Sequence, residues 1–161
     1  MQFRANGFVD AVAQVLREEG VPGEWLELEL TERMLMDDLG EVKRTLQQLR
    51  AMGMRVSIDD FGTGYSSLAH LKELPIDGMK IDRSFVHDLP HQRGSVAIAR
   101  AVMQMAQGLS LTVVAEGVEN DEQRRFLVEH GCDLLQGELI SAPLPAAELA
   151  RWITERAQLS G

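Results

Sequence analysis

Hydrophobic residues along the chain follow two different spacings, one typical of amphipathic helices and one typical of strands. Between residues 8 and 19, apolar side chains recur every three or four positions, which predicts a helix with one buried face. Between residues 25 and 31, leucines at every second position alternate with Glu27, Glu29 and Thr31. This second spacing predicts a strand whose other face carries acidic side chains.

The same two spacings alternate along the rest of the chain. Helical spacing predicts further helices at 37–52, 67–74, 95–109, 121–130 and 146–158. Short apolar runs predict strands at 56–58, 78–81, 111–115 and 134–135. Strands that alternate with helices at this rhythm indicate parallel βα units, so the sequence predicts an α/β fold.

A polar residue marks the end of each predicted strand, and these residues are Glu29, Asp59, Lys80, Glu116 and Gln136. Successive members are separated by 30, 21, 36 and 20 residues, which is one βα unit each time. Because the carboxyl ends of parallel strands lie at one rim, we expect the five side chains to meet there. Barrel enzymes place their chemistry at this rim.

Length and composition indicate a single globular domain spanning residues 1–161. Apolar residues make up 45% of the chain and charged residues 25%, as in average soluble domains. The net charge of −9 argues against DNA or RNA as a main partner. No apolar run reaches membrane-spanning length and the first twenty residues do not resemble a signal peptide, so we expect a cytoplasmic protein. The lone Cys132 excludes an internal disulfide.

The stretch from 55 to 68 contains the highest concentration of candidate functional residues. Two adjacent carboxylates, Asp59 and Asp60, follow the strand predicted at 56–58, and a loop with Gly62 and Gly64 follows them. Neighbouring side chains on a strand point to opposite faces, so both can serve one site only where the strand ends or bulges. An ordinary turn with a helix-capping aspartate would explain the stretch equally well.

The predicted rim gathers many carboxylates around one lysine. The acids are Glu29, Asp59, Asp60, Glu116 and Glu119, with Glu32 nearby, and the lysine is Lys80. Clustered carboxylates repel one another, and Mg²⁺ or Mn²⁺ ions are the natural counter-ions for an all-oxygen set. Two such ions could clamp a phosphodiester and activate a water. Lys80 would hold a phosphate oxygen or the attacking water, or alternatively serve only to neutralise the acidic rim.

Five motifs in register resemble those of EAL-domain cyclic-di-GMP phosphodiesterases. They are 29–32 (ELTE), 59–68 (DDFGTGYSSL), 80–82 (KID), 115–119 (AEGVE) and 136–137 (QG). The resemblance covers essentially the whole chain. It implies a modified (β/α)₈ barrel and the hydrolysis of cyclic di-GMP to the linear dinucleotide, supported by Mg²⁺ or Mn²⁺.

The resemblance also implies a role for each matching residue. The implied metal ligands are Glu29, Asp59, Asp60 and Glu116. Lys80 resembles the family lysine near the catalytic water, and with Asp59 and Glu116 it forms the implied catalytic set. Glu32 is similar to the glutamate that anchors the loop after Asp60, while Glu119 and Gln136 match supporting polar positions.

The sequence departs from the family pattern in several places. It lacks the Glu-Ala-Leu motif, which in the family supplies a metal-binding Glu and is followed by a phosphate-binding Arg. The family's metal-binding Asn would fall just before Met1. Glu138 and Ile140 replace residues of a run that usually contains an aromatic residue. The predicted fold is therefore a partial (β/α)₈ TIM-type barrel with about five parallel βα units, its first strands missing.

Three interpretations remain open. The chain is a phosphodiesterase domain, with activity impaired by the absent ligands. Alternatively, it is a catalytically inactive module that binds cyclic di-GMP or another protein. In the third, it is an incomplete barrel that pairs with another chain. The unpaired edge of the strand at 26–31 predicts homodimerisation or added-strand pairing, because exposed strand edges promote association.

Overall fold

The computed structural model describes residues 7–35, 39–62 and 71–159. The strands are β1 Glu27–Thr31, β2 Arg55–Phe61, β3 Gly78–Ile81, β4 Thr112–Ala115 and β5 Leu134–Leu135. The α-helices are α1 Phe8–Glu19, α2 Leu39–Ala51, α3 Arg83–His87, α4 Arg93–Leu109, α5 Asp121–Glu129 and α6 Ala146–Leu159. Short 3₁₀ helices span Gly23–Trp25 and Glu32–Leu35. None of the helices in these ranges is long and apolar enough to cross a membrane.

The five strands form one parallel sheet in the order β1-β2-β3-β4-β5. This arrangement confirms the predicted α/β class and the succession of parallel βα units. Half of the helix predicted at 67–74, residues 67–70, lies outside the described residues. Helix α3 was not predicted, because five residues are too few to show a helical repeat.

One face of the sheet forms the hydrophobic core with the helices. Its residues alternate along the strands and are at most 2% exposed: Leu30, Val56, Ile58, Met79, Ile81 and Val113. Leu46 and Leu49 of α2 and Ala106 of α4 belong to the same buried cluster. Because successive side chains of a strand point to opposite faces, the residues between these core positions point to the other face.

The other face is more exposed and largely polar. Near the amino ends of the strands it includes Glu27, Arg55 and Thr112, which line a cavity of 310 Å³. Near the carboxyl ends it carries the predicted rim residues. The rim therefore lies on the polar face of the sheet, opposite the core.

Strand β2 continues through the two adjacent aspartates instead of ending before them. Its register with β3 shifts between Ile58 and Phe61. Asp60 lies within this irregularity with a φ of 54°, a left-handed conformation that is uncommon outside glycine. Two arrangements were expected, a strand that ends here or one that bulges, and the structure has the irregular register of the second.

Candidate active site

The ammonium of Lys80 lies at the centre of the rim. Its Nζ is 2.6 Å from Oε1 of Glu29, 2.5 Å from Oε1 of Glu116 and 3.9 Å from Oδ1 of Asp59. Only 6% of the Lys80 side chain is exposed. The structure therefore brings together a lysine and three acids from four separate segments of the chain.

Strand register explains why these four residues meet. Lys80 pairs with Val114 of β4, and Glu116 follows two positions later on the same face. Thr31 of β1 pairs with Asp59, and Glu29 precedes Thr31 by two positions. The alternation of side chains along parallel strands thus directs all four onto one face.

Lys80 is held in its charged form by its neighbours. Burial alone would lower the pKa of Lys80, but hydrogen bonds to Glu116 and Glu29, together with their negative charges, outweigh burial and raise it. One ammonium faces three carboxylates, so the cluster retains an excess of negative charge. That excess attracts a further cation.

Asp60 lies beside this cluster, and its surroundings disfavour the ionised form of its carboxyl. Its backbone N–H donates to Oδ1 of Asp59 at 3.0 Å. Burial, followed by the negative charges of Asp59 and Asp82, raises the pKa of the Asp60 carboxyl, and the charge of Lys80 only partly opposes this. A bound cation near Asp60 would relieve the same repulsion.

Glu32 reaches the segment that follows β2. It is 4% exposed, and its Oε2 accepts a hydrogen bond from the Gly62 N–H at 3.3 Å. Residues 63–70, which follow Gly62 in the sequence, lie outside the described part of the chain. The role of Glu32 as a loop anchor remains a prediction, and this hydrogen bond agrees with it.

Glu119 and Gln136 do not join the cluster around Lys80. Oε1 of Glu119 accepts from Nη2 of Arg83 at 2.8 Å, and its Oε2 is 3.5 Å from Nδ1 of His87. The side chain of Gln136 is exposed, and its backbone carbonyl accepts from the N–H of Val118 at 3.0 Å. Both residues thus shape the loop beyond β4 rather than contact Lys80.

The acids around Lys80 are the type of ligand that a hard divalent cation prefers, because all are carboxylates and their negative charge exceeds that of the one lysine. Within residues 7–35, 39–62 and 71–159, however, no three His, Cys, Asp or Glu side chains are grouped so that they could hold a metal. Glu29 and Glu116 are both directed at Nζ of Lys80. These carboxylates would have to turn away from Lys80 to bind a metal.

Sequence reasoning missed one residue next to the site, Gln123. It is 1% exposed and contacts the loop that carries Glu116 and Glu119. The signal was present as Asn120-x-x-Gln123, a capping-box pattern before a helix. Its further contact with the carbonyl of His87 could not be predicted, because α3 itself was not predicted.

Comparison with known proteins places this geometry in a family. The sequence matches the EAL domain over residues 1–143. It is 49% identical over 145 residues to the cyclic di-GMP phosphodiesterase NbdA of Pseudomonas aeruginosa, an alignment that covers 90% of this chain and 18% of NbdA. The chain therefore spans less than a fifth of the length of that relative.

Solved structures agree with the sequence match. The phosphodiesterase of PaMucR, in complex with c-di-GMP, superposes with a TM-score of 0.88 at 45% identity, covering 92% of this chain and 60% of that one. Klebsiella pneumoniae BlrP1, in a manganese and cy-diGMP complex, gives a TM-score of 0.78 at 33% identity over 88% of this chain and 36% of BlrP1. EAL domains of this kind have a TIM-barrel-like fold. The chain belongs to the EAL domain family.

Proposed function

We propose that this domain hydrolyses cyclic di-GMP to the linear dinucleotide in a metal-dependent reaction. The observation that carries the proposal is the convergence of Glu29, Asp59 and Glu116 on Lys80 at one rim of the sheet. Relatives described as cyclic di-GMP phosphodiesterases support it. A solved EAL neighbour in complex with c-di-GMP supports it further.

Glu29, Asp59, Asp60 and Glu116 are the residues that would hold Mg²⁺ or Mn²⁺. A bound divalent cation would supply charge stabilisation for the phosphodiester and a more acidic water. The manganese complex of BlrP1 makes Mn²⁺ the first ion to test. If Glu29 and Glu116 held a metal instead of Lys80, the Lys80 ammonium would be able to donate to a phosphate oxygen or the attacking water.

The remaining roles in the proposed reaction fall to side chains of this chain. In the proposed reaction Lys80 orients the attacking water or a phosphate oxygen as a hydrogen-bond donor, since an ammonium has no acceptor lone pair. Asp59 and Glu116 are the nearby carboxylates that can accept a proton from that water. Glu32 supports the loop after Asp60 through Gly62, and Glu119 and Gln136 support the loop beyond β4.

The alternative function is a catalytically inactive module that binds cyclic di-GMP or a protein partner. One observation favours it. Lys80 already occupies the carboxylates of Glu29 and Glu116. Such a module would bind the dinucleotide without turnover. Slow turnover by a phosphodiesterase of impaired activity is an intermediate outcome.

A time course of cyclic di-GMP with Mn²⁺ or Mg²⁺ separates these functions, with Asp59→Asn as the matched variant. Linear dinucleotide formed by the parent and lost in the variant supports the phosphodiesterase. Binding of cyclic di-GMP by calorimetry without product supports the binding module. If the protein neither binds cyclic di-GMP nor forms product at millimolar Mn²⁺, both functions are contradicted.

The edge of β1 is the proposed surface for association. Strand β1 pairs with β2 and ends the described sheet, leaving its other side without a strand partner among the described residues. We propose a homodimer or added-strand pairing there, in a cytoplasmic protein. Analytical ultracentrifugation combined with amide exchange tests this pairing. A monomer whose β1 amides are nevertheless protected would count against it.

A further inference from the structure

The buried side chain of Gln123 connects its own part of the chain to His87, which lies 36 residues earlier. Its Oε1 accepts hydrogen bonds from the N–H groups of Glu119 at 2.7 Å and Asn120 at 3.2 Å. Its Nε2 donates to the carbonyl of His87, also at 3.2 Å. The amide is therefore bonded through both its acceptor and its donor end, as a buried polar group must be.

A helix cap accounts for part of this arrangement. Asn120 accepts from the Gln123 N–H at 3.0 Å, and Gln123 accepts from the Asn120 N–H, which completes a capping box at the start of α5. The bonds to Glu119 and His87 lie outside that motif. They join the start of α5 to the end of α3.

The joined segment carries Glu116. The Glu116 N–H donates to the carbonyl of Ile81 at 3.2 Å, while its carboxylate contacts Lys80. The next residue, Gly117, lies so close to Arg83 at the start of α3 that a Cβ would fall 2.4 Å from the arginine Cγ. The segment is thus held against α3 at Gly117 and again through Gln123.

We infer that Gln123 is a positioning residue, which fixes the 116–119 segment against α3 so that Glu116 meets Lys80. The effect of Gln123 on metal binding by Glu116 rests on the proposed function. Its effect on the position of the 116–119 segment does not, because that position is a property of the folded chain alone. The two effects can therefore be measured separately.

Gln123→Glu is the sharpest variant. A carboxylate keeps the acceptor for Glu119 and Asn120 but cannot donate to the His87 carbonyl. The matched control, Asn120→Ala, removes the other half of the capping box and leaves the His87 bond in place. Amide exchange by NMR at Glu116 and Val118 should accelerate about tenfold in Gln123→Glu, the effect of losing roughly one buried hydrogen bond. In Asn120→Ala, exchange at these two amides should stay near the parent value.

The second readout is Mn²⁺ affinity by calorimetry. Gln123 bonds to the backbone of Glu119, Asn120 and His87 and so acts on the proposed ligand Glu116 only through the 116–119 segment. Gln123→Glu should therefore bind Mn²⁺ more weakly than Asn120→Ala, by up to about tenfold, the lower end of the range for groups bonded directly to a ligand. If the parent binds no Mn²⁺, the metal-dependent function fails and amide exchange alone decides the inference. Equal exchange at Glu116 and Val118 in both variants would overturn it. Gln123→Met replaces Gln123→Glu if the latter does not fold.

Discussion

The Lys80 ammonium and the Glu116 carboxylate lie 2.5 Å apart at the ends of adjacent strands, β3 and β4. At this separation the pair forms a charge-assisted hydrogen bond. Glu29 completes the arrangement from the other side at 2.6 Å. The lysine therefore bonds to two of the carboxylates that we propose as metal ligands, and a metal bound by them would compete with Lys80.

Removing Lys80 should destabilise the fold in the absence of metal. Lys80→Met leaves Glu29, Asp59 and Glu116 facing one another, and we expect the free energy of unfolding in urea to fall by about 2 kcal/mol. This value is lower than for a fully buried pair because half of the Glu29 side chain is exposed. Millimolar Mn²⁺ should recover more stability in the variant than it adds to the parent.

The matched control for Lys80→Met is Lys43→Met. Lys43 forms an exposed ion pair with Glu73 at 3.9 Å, so its loss should change stability by less than about 0.5 kcal/mol. Equal losses in the two variants would show that the cluster around Lys80 contributes no more than a surface pair.

Asp60→Asn should stabilise the metal-free protein at neutral pH. Burial and the charges of Asp59 and Asp82 raise the folded-state pKa of Asp60, so its ionised form is disfavoured in the folded protein. Asparagine removes that charge and tolerates the φ of 54°. We expect a gain below about 1 kcal/mol by thermal unfolding at pH 7.

The stability gained in Asp60→Asn should depend on pH, because the pKa of Asp60 is raised in the folded protein. The penalty on ionised Asp60 is complete above its raised pKa and disappears as pH falls below the unfolded value of about 3.9. The gain should therefore be present at pH 7 and absent at pH 3. Asp59→Asn should instead lower stability at pH 7, because Asp59 accepts from the Asp60 N–H and lies near Lys80. A less stable Asp60→Asn at pH 7 would contradict this explanation.

The rim could be predicted from the sequence because it depends on two regular features of the chain. Strand alternation and the shared direction of parallel strands bring Glu29, Asp59, Lys80 and Glu116 to one end of the sheet. A strand end or a bulge was also expected near Asp59 and Asp60, since two adjacent carboxylates cannot otherwise serve one site, but the sequence did not decide between them.

The direct contacts of the rim residues could not be predicted in the same way. Whether Lys80 reaches Glu29 and Glu116 depends on side-chain length and on the exact register of β3 and β4. Glu119 contacts Arg83 because α3 follows β3 at once. The signal for α3 was only local, an aspartate N-cap in which Asp82 accepts from the N–H of Ser84.

Gly137→Ala should destabilise the protein by about 2 kcal/mol or more, as overpacking against fixed backbone does. A Cβ at position 137 would lie 2.2 Å from the backbone nitrogen of Val118 and 2.3 Å from its carbonyl oxygen. Hydrogen bonds from Val118 to Gln136 and from Leu139 to Val118 fix this backbone in place. Urea unfolding measures the loss.

Gly108→Ala is the control of opposite sign. Gly108 lies inside α4, where an added Cβ meets nothing within 4 Å, so alanine should stabilise the helix by about 0.5–1 kcal/mol. A neutral Gly137→Ala would mean that the segments at 118 and 137 can separate at little cost. The loop bearing Glu116 would then be less firmly held than its hydrogen bonds indicate.

Cys132 should react slowly with iodoacetamide in the folded protein. Burial raises the pKa of its thiol to about 11, and the thiol lies 3.2 Å from the carbonyl oxygen of Leu134. Because the thiolate is the reactive species, alkylation of the native protein at pH 8 should be about a hundredfold slower than in urea, where the thiol pKa returns to about 8.5. The native rate should rise about tenfold per pH unit up to pH 10, since each unit multiplies the thiolate fraction tenfold. Equal rates in buffer and in urea at pH 8 would show that the segment before β5 opens readily, and β5 would then be a weakly held edge of the sheet.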